Sequence, residues 1–235
     1  MRAVVLAGGL GMRLRPYTTI LPKPLLPIGD RPILEIILRQ LAAAGFERVD
    51  LCVGHLGDLI RVYFSDGTVL PEGLDLGWHW EPEEPLGTAG ALRVVPGLDT
   101  TFLAMNGDIL TTLDYGDLMA HHRDSGAALT IAVQGRRVDI DLGVLELDGD
   151  RVLAYNEKPA LTYDVSMGIY AYEPRALDHL PADGPCSFPE LVQRMLAAGE
   201  HVAYYRSDAD WFDIGTTGEY ERAVAELERR GGWTG

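Results

Sequence analysis

Three glycines, two arginines and a lysine stand between residues 8 and 23, in the stretch LAGGLGMRLRPYTTILPKPLLP (6–27). Glycine lets backbone N–H groups approach an anion where a side chain would block them, and Arg13 and Lys23 add positive charge. Phosphate binding is the chemistry that suits this composition. The stretch is not a P-loop, because no Gly-Lys-Ser/Thr follows, and it departs from the dinucleotide fingerprint, because Leu14 stands where the third glycine belongs. Four prolines from Pro16 to Pro27 prevent a helix from opening directly behind the glycines. They predict a long, extended loop with Arg13 and Lys23 along it.

Charge supports a small phosphorylated ligand. The net charge is -15, which argues against nucleic acid or an anionic membrane as partner, since both demand a basic footprint. Residues 1–48 nevertheless carry seven cations against three anions. Of the 20 basic residues only two are lysines, Lys23 and Lys158, each followed by proline. Genomic base composition would also produce an arginine excess, but a retained lysine suits a position that needs a compact ammonium rather than a planar fork. The six histidines form no triad-like setting, and Cys52 and Cys186 lack metal-ligand spacing, so both cysteines read as free thiols.

Apolar runs at AVVLA, VDLCV, LDLGWHW, FLAMN, LTIAV and HVAYY read as strands. PILEIILRQLAAAG has apolar residues at helical spacing, with Pro32 at its first turn and Gly45 at its end. DLIRVYF, LDYGDLMAHHRDSG, FPELVQRMLAAG and GEYERAVAELERR read as further helices, and GGWTG as a frayed tail. Strand and helix alternate to about residue 125, predicting parallel strands with right-handed crossovers. The later strands have little helix between them and predict an antiparallel insert on the same sheet. With strand sequence from Arg2 and no apolar run of membrane length, the expectation is a cytoplasmic protein without a signal peptide.

The opening stretch resembles the signature of the sugar-1-phosphate nucleotidyltransferases, G-G-x-G-x-R-L-x-P-x-T followed by P-K-P. Gly8, Gly9, Gly11, Arg13, Leu14, Pro16, Thr18, Pro22, Lys23 and Pro24 match. The resemblance covers nearly the whole chain. EEPLGTAGAL is similar to the base-binding loop, in a form closer to guanylyltransferases, including those acting on mannose 1-phosphate, than to thymidylyltransferases. LAMNGDIL and WFDIGT are similar to the two metal segments, and NEKPA to the sugar-phosphate segment. An Asp after Gly at a strand end also closes turns, and Thr88 could simply cap a helix.

The resemblance implies an α/β fold that is Rossmann-like, a mixed, mostly parallel sheet flanked by helices with an antiparallel sugar-binding insert. It implies a single domain over 1–235, with a nucleotide-binding part to about 125, a sugar-binding part over about 126–215, a C-terminal helix beyond, and no C-terminal β-helix domain. The partners implied are an NTP, with GTP favoured, and a sugar 1-phosphate, with Mg²⁺ as cofactor; the sequence leaves the sugar and a homo-oligomeric state open. Arg13 and Lys23 are the implied catalytic residues. Leu6, Ala7, Gly8, Gly9, Gly11, Met12, Arg13, Glu81, Gly87 and Thr88 would surround the nucleotide. Asn106, Gly143, Glu157, Lys158 and Ser166 would bind the sugar phosphate, and Asp108 and Asp213 the metal. Ser166 departs from the family's usual Asn, which leaves fewer hydrogen bonds for the sugar. Another nucleotide, a non-sugar phosphate acceptor, or an inactive regulatory subunit are the alternatives; retention of Arg13, Lys23, Asp108, Lys158 and Asp213 argues against the last.

Overall fold

A computed structural model describes residues 1–65 and 67–230; the GGWTG segment lies outside the described residues. The chain runs β1 (Arg2–Ala7), two short strands β2 (Pro27–Ile28) and β3 (Arg31–Pro32), then α1 (Ile33–Ala43), β4 (Arg48–Val53), α2 (Gly57–Tyr63), β5 (Asp75–Trp80), α3 (Gly87–Gly90) and β6 (Phe102–Asn106). It continues through β7 (Ile109–Thr111), α4 (Tyr115–Ser125), β8 (Leu129–Asp139), β9 (Val144–Asp148), β10 (Arg151–Asn156), β11 (Ala160–Tyr172), α5 (Phe188–Ala197), β12 (Val202–Arg206), β13 (Trp211–Asp213) and α6 (Thr217–Arg230).

Seven strands form one sheet in the order β12-β8-β11-β6-β1-β4-β5. Six are parallel, and β11 runs antiparallel between β8 and β6. The central strands are apolar at nearly every position because both faces are covered. Period-2 alternation divides them between two cores. Ala3, Val5 and Ala7 of β1 pack with α1, with Leu118 and Met119 of α4 and with Ala223 of α6. Val4 packs on the other face with Ala89 of α3 and with Leu191 and Met195 of α5. α1 stops at a left-handed Gly45 (φ +84°), where the Gly45 N–H meets the Ala42 carbonyl at 2.9 Å and the Phe46 N–H the Leu41 carbonyl at 3.0 Å. Those two bonds satisfy carbonyls that the helix end would leave without partners.

Two expectations are corrected. The loop after β1 is not extended: it coils into three single 3₁₀ turns, Met12–Leu14, Tyr17–Thr19 and Lys23–Leu25, pinned by the fully buried Leu14. Proline's fixed φ is as compatible with a 3₁₀ turn as with extended chain. The β9–β10 hairpin does not join the main sheet but makes a separate two-stranded one. Beside it the outer half of β8 pairs with the start of β11, from Ala160↔Asp139 to Val165↔Gln134.

From β1 the chain builds β4 and β5 on one side, then crosses to β6 on the other. Ligands of open α/β sheets settle in the crevice such a reversal leaves beyond the carboxyl ends of the strands.

Candidate active site

A cavity of about 470 Å³ opens at that reversal, at the carboxyl ends of β1 and β6. Close backbone approach around it leaves no room for a side chain at two glycines. A Cβ on Gly54, at the end of β4, would stand 2.9 Å from the Gly8 carbonyl oxygen, and one on Gly107 would stand 2.9 Å from that of Leu6. Leu6, Ala7, Gly8, Gly9, Gly11, Met12 and Arg13 line one side of the cavity. The Arg13 guanidinium lies against Gly215, with a nitrogen 3.0 Å from where a Cβ would be, and makes no hydrogen bond among the described residues.

Glu81, Gly87 and Thr88 also line the cavity. Glu81 is anchored by its N–H to the Val53 carbonyl at 2.8 Å, and its carboxylate lies directly over the Gly8 α-carbon. Burial pushes the Glu81 carboxyl above its ordinary range, against a backbone hydrogen bond from Leu86. The Cys186 carbonyl accepts from Ala89 and Gly90 at 3.1 and 2.9 Å, and Gly87 (φ +76°) has no room for a side chain against it. Thr88 does not cap its own helix; its Oγ1 accepts the Phe188 N–H at 2.9 Å, fastening α3 to the start of α5. The Cys186–Phe188 segment has no signal in the sequence that ties it to the cavity.

Lys23 and Asp108 form an ion pair on the cavity wall through Asp108 Oδ2, while Asp108 Oδ1 is buried and has no hydrogen-bond partner. β13 pairs with β7, Asp213 opposite Ile109, and the Ile214 N–H donates to the Asp108 carbonyl at 3.0 Å. Asp213 is thereby set beside Asp108 without itself lining the cavity. Burial and then the Asp108 charge push its carboxyl up, and Lys23 pulls it down. A buried carboxylate oxygen without a partner, next to a second carboxylate destabilised by it, fits a hard divalent cation. The donors that the chain brings together here are the two carboxylates of Asp108 and Asp213. That suits Mg²⁺, which takes one or two carboxylates and fills its shell with water and substrate phosphate.

The profile of the family described as "Nucleotidyl transferase" matches residues 2–230. The chain belongs to this family. It is 36% identical to the mannose-1-phosphate guanylyltransferase of Mycobacterium tuberculosis over 97% of this chain and 64% of that protein. It is 32% identical to the UTP–glucose-1-phosphate uridylyltransferase of a Synechocystis strain over 95% of this chain and 62% of that one. The chain thus spans a little under two thirds of the length of these relatives. It is 29% identical to the D-glycero-alpha-D-manno-heptose 1-phosphate guanylyltransferase of Aneurinibacillus thermoaerophilus, over 97% of this chain and 99% of that protein. The crystal structure of HddC from Yersinia pseudotuberculosis superposes with a TM-score of 0.74 at 26% identity, covering 96% of this chain and 99% of that one.

In this chain the sugar-phosphate residues expected from sequence are divided. Asn106 lines the cavity, and its amide rests on Gly168 (φ +73°), at the irregularity of β11 that carries Ser166. Ser166 Oγ accepts the Gly168 N–H and donates to Tyr170, both at 3.2 Å. Gly143, Glu157 and Lys158 lie at the hairpin and do not line the cavity. Tyr155 packs over Gly143 and donates to Glu157 at 2.9 Å. Lys158 is left-handed (φ +46°), 61% exposed in its side chain, and 3.9 Å from Asp141. Gly54 and Gly215 escaped sequence reading, although a glycine directly behind the strand VDLCV is a visible sign of close backbone approach. Among the described residues no helix is long and apolar enough to cross a membrane.

Proposed function

We propose that this protein transfers a nucleotidyl group from an NTP, GTP by preference, to a sugar 1-phosphate, releasing pyrophosphate. The observation that carries this reading is the Lys23–Asp108–Asp213 cluster, with its partnerless carboxylate oxygen, at the wall of a glycine-lined cavity. An oxygen of the sugar phosphate bonds to the α-phosphorus, the bond from that phosphorus to the α–β bridging oxygen breaks, and pyrophosphate leaves. The nucleophile brings its own charge, since a phosphate monoester with a second pKa of about 6 is mostly a dianion at neutral pH. No side chain has to activate it. What the protein must do is hold two anions in line and offset their repulsion.

Backbone N–H groups of the glycine loop donate to the triphosphate, and Arg13 holds its leaving end. Lys23 stabilises charge that builds at the α-phosphate. Asp108 and Asp213 would hold Mg²⁺, which when bound supplies further neutralisation of phosphate charge. Lys158 and Glu157, on the exposed hairpin, are the proposed contacts to sugar phosphate and hydroxyls. Glu81 favours guanine for a chemical reason. A carboxylate only accepts, and guanine presents two adjacent donors, N1–H and N2–H, where uracil and thymine present one N–H between two carbonyls.

The test is pyrophosphate release from five NTPs against a panel of sugar 1-phosphates. GTP is expected to give the highest kcat/KM, and excess chelator to stop turnover. UTP or dTTP in first place would overturn the base assignment alone; no pyrophosphate from any pair would overturn the reaction.

A further inference from the structure

Side chains of β8 alternate across the sheet, which puts Ala132, Gln134 and Arg136 on one face. Ala132 packs into the core, the Gln134 amide donates to the Ala209 carbonyl at 2.6 Å, and the Arg136 guanidinium lies over the Trp211 ring, 5.1 Å from its centroid. Trp211 is itself fixed: its indole N–H donates to the Met167 carbonyl at 3.0 Å, and its backbone pairs with Thr111. Asp213 follows two residues along the same strand, so it shares the face of Trp211, about 7 Å further on. Met167 lies between Ser166 and Gly168, the irregular turn of β11 against which Asn106 rests.

The neighbouring arginines behave differently. Arg137, on the opposite face of β8, donates to Asp139 at 2.8 Å, and Arg206 of β12 is paired with Asp164. Arg136 has no carboxylate partner among the described residues, although the protein carries a net charge of -15. A cation–π contact with an indole holds a guanidinium in place without using its N–H donors, which stay free for a forked anion. An anion is expected here for a second reason. A phosphate dianion drawn next to Asp108 and Asp213 must be flanked by cations, and Lys158 is at the exposed hairpin whereas Arg136 is at its base.

We infer that Arg136 is a substrate-binding residue that takes the phosphate of the sugar 1-phosphate, its guanidinium held over the ring of Trp211, two residues along β13 from Asp213. The inference rests on the reaction proposed above. Arg136→Ala should raise KM for the sugar 1-phosphate by about tenfold or more, the loss of a bidentate charge-assisted contact, while kcat and KM for GTP stay within about twofold. Arg136→Lys should recover part of that loss, and Trp211→Phe should show a smaller loss of the same kind. Calorimetric titration separates the two readings, because it needs no turnover. Wild-type protein should bind sugar 1-phosphate in preference to the parent sugar, with inorganic phosphate competing, and Arg136→Ala should lose that preference. If the wild type releases no pyrophosphate but the titration behaves so, the reaction fails and the anion site stands. Unchanged affinity in Arg136→Ala, or an equal loss for parent sugar and sugar phosphate, overturns the inference. Should the alanine variant lower Tm, Arg136→Gln, closer in volume, decides by the same titration.

Discussion

Lys23 and Asp108 satisfy each other only in part: Lys23 is paired, but Asp108 keeps a buried oxygen without a partner. The two should therefore fail differently. Asp108→Asn removes charge with little change of volume, so turnover should drop at least a hundredfold while circular dichroism and Tm stay near wild type. A near-normal rate would place the cation elsewhere. Lys23→Ala should chiefly lower kcat, since a charge interaction that strengthens in the transition state is worth on the order of 3 kcal/mol, about a hundredfold in rate. Lys158→Ala, at the far end of the site, should instead raise KM for the sugar phosphate with little effect on NTP. Steady-state kinetics with each substrate varied in turn checks both; wild-type constants in both alanine variants would remove the lysines from the site.

At the scale of elements, the GTAG turn of α3 is too short to hold its own position and borrows it from α5. Cys186 supplies a carbonyl to two of its N–H groups, and Thr88 returns an acceptor to Phe188. α5 is anchored independently: Ser187 and Glu190 form a reciprocal capping box at its first turn. Separating the two devices is a test of what fixes the nucleotide loop. Ser187→Ala should cost about 1 kcal/mol in urea unfolding, as a lost N-cap does, with KM for GTP nearly unchanged. Thr88→Val should cost a similar amount and also raise KM for GTP several-fold, because the loop loses its tie to α5. Equal effects on KM would mean that the two segments move as one body.

For the whole molecule, what was legible followed from local physics. Continuous apolar runs announced the parallel strands, and the glycine composition of residues 8–11 marked a loop at a strand tip; Glu81, Gly87 and Thr88, which line the same cavity, were legible only through the resemblance to a family loop. The 3₁₀ turns after Leu14 were not legible, since proline's φ serves both conformations. Nor was the partner of β9 and β10: alternation marks a strand but does not say which strand it joins. Buried charge was equally invisible. Asp50 reads as one residue of an apolar run, yet it is fully buried, accepts from Arg2 at 2.7 Å and Arg48 at 3.0 Å, and faces His79 at 2.7 Å. It ties the starts of β1 and β4 to His79 in the second half of β5, with Gly77 leaving the space. Burial alone would push its carboxyl up, but hydrogen bonds from Arg2, His79 and Arg48 outweigh it and hold it below its usual range. A carboxyl lowered in the folded state adds stability that is complete above its unfolded value, about 3.9, and is lost as pH falls through the folded one. Wild-type unfolding free energy should therefore fall below about pH 4. Asp50→Asn should cost roughly 3 kcal/mol at pH 7, the low end for breaking a buried pair, because Arg48 is 42% exposed and water screens it. It should also flatten the acid limb, whereas Asp75→Asn, at the exposed end of the cluster (66%), should do neither. Urea unfolding of the three proteins from pH 3 to 7 is the measurement, and an Asp50→Asn variant that keeps both the wild-type stability and its acid limb would show that the three strands are held here by packing alone.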